Sequence, residues 1–238
     1  MSSQDMQVSA NGALTKRLLS LSEVRHAVHM PAPTAAESSP RLVKVTAWPH
    51  VSETAGRLLT SAAEAFADKG FHATTTRDIA SGAGLSPAGV YVHFSSKEDV
   101  LFQLSRAGHE EALHLVTSAV ASSPSASAQL TALVSTFSAW HAENYAVARV
   151  VQHEFPHLSP EHRVEVLRMR KRIDATVRGV LRAGVAAGEF TVEHEADTSL
   201  AILSIIVDVA RWYAPSVRRT PEQIGRTNAA LALRLVGS

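Results

Sequence analysis

Cysteine is absent from the 238 residues of this chain. Its absence excludes disulfide staples, thiolate metal sites and cysteine nucleophiles, and it suits a reducing compartment, so a cytoplasmic location is expected. Aromatic residues are scarce at 5%, whereas alanine, leucine and valine abound, a composition suited to helix-on-helix packing. Neither sign of charge dominates: the formal net charge is +1, so no global basic field announces a polyanionic partner. Long apolar runs are missing too. The longest apolar stretch, Leu200 to Ala210, is interrupted by Ser204 and Asp208, so no membrane span is expected. The N-terminus lacks a basic start followed by an apolar core, which argues against a secretion signal. No segment alternates with the period of a strand, and the expected fold is all-α.

What is present begins with a core: 45% of residues are hydrophobic. Residues 1–50 form an extension rich in Ser, Ala and Pro, expected to be a flexible tail. Leu14, Leu18, Leu21 and Val24 fall at helical spacing and predict a short helix from Thr15 to His29. The alternative use of this extension is an arm that touches a DNA minor groove or a partner through Lys16, Arg17, Arg25, Arg41 and Lys44.

Ser52 to Lys69 predicts a first helix, capped by Ser52 and stopped by Gly70. Thr75 or Thr76 caps a short second helix through Ile79 and Ala80. Gly82 and Gly84 supply the tight turn, both read as positions that take positive φ. Ser86 followed by Pro87 is a cap-then-N1 start for a third helix. Ser95 or Ser96 with Glu98 or Asp99 opens a fourth as a capping box. Beyond it the chain reads as long helices, with breaks at Pro124, at Phe155-Pro156-His157-Leu158 and at Gly188. The last helix starts from the capping box Thr220-Pro221-Glu222-Gln223.

Helix, glycine turn and short second helix make a helix-turn-helix, which places a narrow helix in the major groove of DNA. The run Ala65-Phe66-Ala67-Asp68-Lys69-Gly70, Thr75-Thr76-Arg77-Asp78-Ile79-Ala80, Ala83-Gly84-Leu85-Ser86, Gly89-Val90-Tyr91-Val92-His93-Phe94 and Ser96-Lys97-Glu98-Asp99 resembles the DNA-binding end of the TetR family of transcription regulators. The resemblance implies a helix-turn-helix domain at 51–97 and a helical effector-binding and dimerisation domain at 98–238. It assigns phosphate contacts to Thr75, Thr76, Tyr91 and Lys97. Base-edge or thymine-methyl contacts go to Arg77, Ser86, Pro87, Ala88, Gly89 and His93. Phe66, Ile79, Val90 and Phe94 read as core. One feature of the composition opposes this: Arg57, Lys69, Arg77, Lys97 and Arg106 are outnumbered by Glu53, Glu64, Asp68, Asp78, Glu98 and Asp99. Any attraction to DNA must therefore be local.

For an effector, Phe137, Trp140, His141 and Tyr145 fall on roughly one helical face, and Arg149, His153, Met169 and Trp212 are candidates to join them. The other reading of these residues is ordinary core. Arg182 to Phe190 and Arg211-Trp212-Tyr213-Ala214-Pro215, with Thr220-Pro221-Glu222, resemble the C-terminal domains of actinobacterial lipid- or steroid-catabolism repressors, which implies an acyl-CoA or a lipid- or steroid-derived acid as ligand. Arg170, Lys171 and Arg172 would then meet its phosphates, or simply face solvent. Apolar positions in Leu200–Ala210 and Ile224–Leu235 suggest a twofold homodimer, with two heads reading a palindrome on double-stranded DNA.

Enzymatic chemistry finds no footing. Gly82-Ala83-Gly84 lacks the third glycine and the preceding strand of a dinucleotide loop. His141, His153, His157 and His162 are divided by Pro156 and lack a completing carboxylate cluster, so neither a metal nor a cofactor is expected. A helical enzyme or small-molecule carrier that keeps the helix-turn-helix as a scaffold is the rival reading; it would bind or turn over a ligand without sequence-specific DNA binding.

Overall fold

Local capping sets most of the helix boundaries in the computed structural model, which describes residues 51–237; the expected Thr15–His29 helix and the basic arm lie outside the described residues. Helix α1 (Glu53–Ala73) begins where Ser52 Oγ accepts from the Ala55 amide at 3.3 Å. It breaks at Gly70, whose φ of 76° lies in the left-handed region, and makes one further turn before Thr74. Helix α2 (Thr76–Gly82) starts with a reciprocal capping box between Thr75 and Asp78. Helix α3 (Pro87–Tyr91) is short, with Pro87 in its first turn and no side-chain bond from Ser86.

The two turn glycines serve different needs. Gly84 takes φ of +70°, as expected, but Gly82 is helical; a Cβ there would collide with the Ser61 hydroxyl, which donates to the Ile79 carbonyl at 2.8 Å. Gly82 is thus kept small by the close approach of α1 and α2.

The body comprises α4 (Lys97–Ala121), α5 (Ala126–Glu143), α6 (Tyr145–His153), a 3-10 turn at Phe155–His157, α7 (Pro160–Ala186), α8 (Glu195–Trp212) and α9 (Pro221–Leu235). No strand occurs among the described residues, in line with the all-α expectation. Ser96, rather than Ser95, caps α4, while the Asp99 carboxylate reaches one residue further back to the Ser95 amide at 2.8 Å. Ser159 and Thr220 cap α7 and α9, each followed by proline. Helix α9 packs chiefly along α5 and only lightly on α8.

Two apolar clusters meet along α4. The first holds the expected Phe66, Ile79, Val90 and Phe94 but continues into α6 and α7 through Val147, Val150, Val151, Val166 and Met169. The second gathers α5, α7, α8 and α9 around Leu130, Leu133, Val177 and Ile206. Each buried valine or methionine contributes about 1.5–3 kcal/mol, so peeling the α1–α3 head from α6 and α7 would cost several kcal/mol.

Candidate DNA interface and effector cavity

Most of the expected DNA-contacting residues are exposed or partly exposed. Arg77, Ser86, Pro87, Ala88, Tyr91 and His93 are exposed, while Thr76 and Gly89 are partly so. The Tyr91 hydroxyl lies 3.4 Å from Thr76 Oγ1, a hydroxyl pair joining α2 to the end of α3. No ion pair among the described residues engages Arg77, leaving its guanidinium available to a base edge or phosphate. Val92, not singled out from the sequence, is 77% exposed beside Tyr91. An exposed apolar side chain next to Tyr91 in the chain is of the type that packs on a thymine methyl.

Two expected phosphate ligands have other employment. The Thr75 hydroxyl donates to Asp78 Oδ2 at 2.6 Å and accepts from the Asp78 amide, so its one proton is committed to the α2 cap. Asp78 Oδ2 accepts from the Thr75 hydroxyl and from the Thr75 amide (2.8 Å), and these two bonds, ahead of the neighbouring Lys69, hold the carboxyl at about 2, below the usual carboxylate range. Lys97 departs further from expectation. Its ammonium donates to the carbonyls of Phe71 (2.6 Å) and Thr74 (2.7 Å), contacts that of His72 at 3.4 Å, and sits 4.4 Å from the centroid of the Phe71 ring. It caps the end of α1, whose carbonyls carry partial negative charge. The charge excess of the acidic residues is likewise used internally: Glu98 accepts from the Ser159 amide at 2.7 Å and pairs with His162, whose ring stacks on Phe102 at 3.7 Å. This tie joins the start of α4 to the start of α7.

A cavity of about 240 Å³ lies where the two clusters meet. Of the expected effector residues, Phe137, Trp140 and His141 line it. Tyr145, Arg149, His153, Met169 and Trp212 do not. The turn at Asn144 gives α6 a new direction, so Tyr145 leaves the face of α5 and meets Tyr213, 5.7 Å between ring centroids. Arg149 donates to the carbonyls of Ala210 at 3.1 Å and Tyr213 at 3.3 Å, fastening the end of α8. Trp212 packs with the small cluster of Val209 and Ile224, Met169 belongs to the head's core, and His153 is exposed. The wall instead includes His109 and Ala112 from α4, Val147 and Val151 from α6, and Leu203 and Val207 from α8.

The polar atoms of the cavity are few and defined. His109 Nδ1 lies 2.7 Å from the Ser105 carbonyl and His141 Nδ1 lies 2.9 Å from that of Phe137. A carbonyl only accepts, so both rings carry their proton on Nδ1 and present Nε2 as an acceptor. Burial pushes both imidazoles down to about 4, with the nearby Arg170 a further cause at His109 and His109 at His141. Arg170 completes the set: its Nε donates to His109 Nε2 at 3.1 Å and its guanidinium lies 4.4 Å from the centroid of the Phe155 ring. Of the basic run Arg170-Lys171-Arg172, only Arg170 turns inward; the other two are exposed. Its place was readable in the spacing Val166, Met169, Ile173 and Val177, the buried stripe of α7 on which it falls. Among the described residues no group of three or more potential metal ligands gathers, the four histidines considered for metal included.

A helix-turn-helix head whose core runs into a cavity-bearing helical body defines a DNA-binding regulator. The comparisons with known proteins agree. Residues 58–104 match the family of bacterial regulatory proteins of the tetR type, and residues 123–236 match the tetracyclin repressor-like C-terminal domain. The HTH-type transcriptional repressor KstR2 of Rhodococcus jostii (strain RHA1) is 32% identical over 194 residues, covering 78% of this chain and 95% of that protein. A crystal structure of a tetR-family bacterial regulatory protein from Rhodococcus RHA1 is 37% identical with a TM-score of 0.74, covering 78% and 98% of the two chains. The ketosteroid transcriptional regulator KstR2 of Mycobacterium tuberculosis gives 28% and 0.71, covering 77% and 95%. The chain belongs to the tetR family of bacterial regulatory proteins and is a transcriptional regulator, not an enzyme.

Proposed function

We propose that this protein is a repressor that binds a palindromic operator as a homodimer and is released by a small apolar-bodied effector seated in the cavity between its two clusters. The observation that carries this reading is the double membership of α6. Val147 and Val151 line the cavity and belong to the core of the DNA-binding head. A ligand that displaces α6 shifts the head, and it shifts the DNA equilibrium only as far as it prefers the displaced state. On the DNA side the reading assigns Arg77 and the small-faced α3 to the major groove, and Thr76 and Tyr91 to phosphates. For the dimer, Leu200, Leu231 and Leu235 remain exposed on α8 and α9, whereas Ile206, Ala210, Ile224 and Ala229 are spent within the chain. The effector is an acyl-CoA or a lipid- or steroid-derived acid, supported by the apolar wall and by likeness to one solved structure described as a ketosteroid transcriptional regulator.

The test is selection on a random double-stranded DNA pool, followed by titration of the winner at two salt concentrations. A palindromic winner with half-sites separated by about one helical turn of 34–36 Å, or a multiple, is expected. Weak, sequence-blind binding lost with modest salt would refute the assignment.

A further inference from the structure

We infer that Arg170, held by neutral His109 and the Phe155 ring, is the residue that selects an anionic oxygen group on the effector, so the cavity takes amphiphilic anions rather than neutral lipids. The inference rests on the effector reading above and narrows it to a charge. Four observations carry it.

A guanidinium has five donors. Arg170 spends one, its Nε, on His109 Nε2. No carboxylate among the described residues pairs with it. Its outer nitrogens, without a hydrogen-bond partner among the described residues, form the edge that binds a carboxylate or phosphate through two parallel bonds. Burial lowers its basicity, the sign of a cation paying desolvation without a protein counter-ion.

The partner that holds it is unusual. Histidine beside arginine is a poor neighbour when charged, but His109 donates Nδ1 to the Ser105 carbonyl and is therefore an acceptor at Nε2. That bond, with the Phe155 face beneath, orients the guanidinium without neutralising it. A carboxylate in the place of His109 would have filled the site with the protein's own anion. The remaining wall, Phe137, Trp140, Leu203 and Val207 among it, offers no second cation, so the ligand has one charged end and an apolar body. The shared chemistry is an anionic oxygen group, either the carboxylate of a free acid or a phosphate of a coenzyme A thioester.

Calorimetric titration of the full-length protein with decanoate, decanoyl-CoA and decanol separates these sources. Arg170→Met is expected to weaken whichever anion supplies the contact by about 10–100-fold, the worth of charge-assisted hydrogen bonds, and to leave decanol within about twofold. Arg170→Lys, which keeps the charge and loses the fork, should fall between wild type and Arg170→Met. Loss confined to decanoate identifies a carboxylate; loss confined to decanoyl-CoA identifies a phosphate. Equal loss for decanol and the anions, or no loss for any, overturns the inference and leaves the effector cavity standing. If none of the three binds a protein that still binds its operator, the cavity itself is not the effector site and both readings of it fall.

Discussion

Acid should destabilise this protein in a window set by two buried imidazoles. His109 and His141 titrate near 6.5 when unfolded but are pushed to about 4 by burial in the native state. Between those values the unfolded chain binds protons that the folded chain refuses. Stability is therefore present above about pH 6.5 and is lost as pH falls towards 4. At pH 5 the difference amounts to about 2 kcal/mol for each histidine, or about 4 for the pair, a large fraction of a domain's total stability. The native carboxylate Asp78 acts lower, between 3.8 and about 2, and does not blur the window. The assay is urea denaturation at fixed protein concentration, because the proposed dimer would make stability concentration-dependent. His141→Asn keeps a donor near the Phe137 carbonyl and removes the titration. It should cost stability at pH 8 through lost packing, yet lose only about half as much between pH 8 and pH 5 as the wild type. An unchanged pH slope in the variant, or a flat wild-type profile over that range, would refute the reasoning.

Three further outcomes are expected. Lys97→Met should lower the melting temperature by removing donors from three carbonyls, at about 1–3 kcal/mol, while the salt dependence of operator binding stays unchanged; a drop in slope by about one would restore Lys97 as a phosphate ligand. Ser105→Ala should be neutral or stabilising by about 1 kcal/mol, since the buried Ser105 hydroxyl has no partner among the described residues, and calorimetric unfolding that shows clear destabilisation would contradict this. Arg149→Met should cost about 2 kcal/mol by freeing the carbonyls at the end of α8, seen as accelerated amide exchange at Ala210–Tyr213.

What could be read beforehand was what is local. Ser52, the Thr75–Asp78 box, Ser159-Pro160 and the Thr220–Gln223 box each satisfy backbone groups within three residues of themselves, so their spacing announced the helix starts. Gly82 was misread because its constraint comes from Ser61, far off in sequence, and not from its own φ. The contacts of Lys97 were illegible for the same reason: a family motif places the residue, but only the packing of α4 on α1 aims its ammonium at the Phe71 and Thr74 carbonyls. In the cavity, Phe137, Trp140 and His141 lie within one helix and obeyed its period. Tyr145 lay across the Asn144 break, where the period restarts. His109 escaped notice as a lone histidine on a long helix, although it continues the buried line Leu101, Ser105, Ala112 and Val116 of α4. The expected boundary after residue 97 marks where α4 begins, yet the packing recognises no such boundary: Val100, Leu101 and Phe102 sit in the head's cluster, and Ala112 and Val116 sit in the body's.

The proposed coupling between DNA and effector rests on that shared packing, and it requires that the head read DNA through α2 and α3. The most direct test is fluorescence anisotropy of the selected operator, and of a version altered in one half-site, against wild type, Arg77→Ala and Tyr91→Phe. Arg77→Ala is predicted to lose about 1–3 kcal/mol on the operator, about 10–100-fold, and to discriminate less between the two duplexes. Tyr91→Phe should weaken both duplexes alike. Wild-type affinity and discrimination in both variants would place the DNA contact elsewhere and contradict the account.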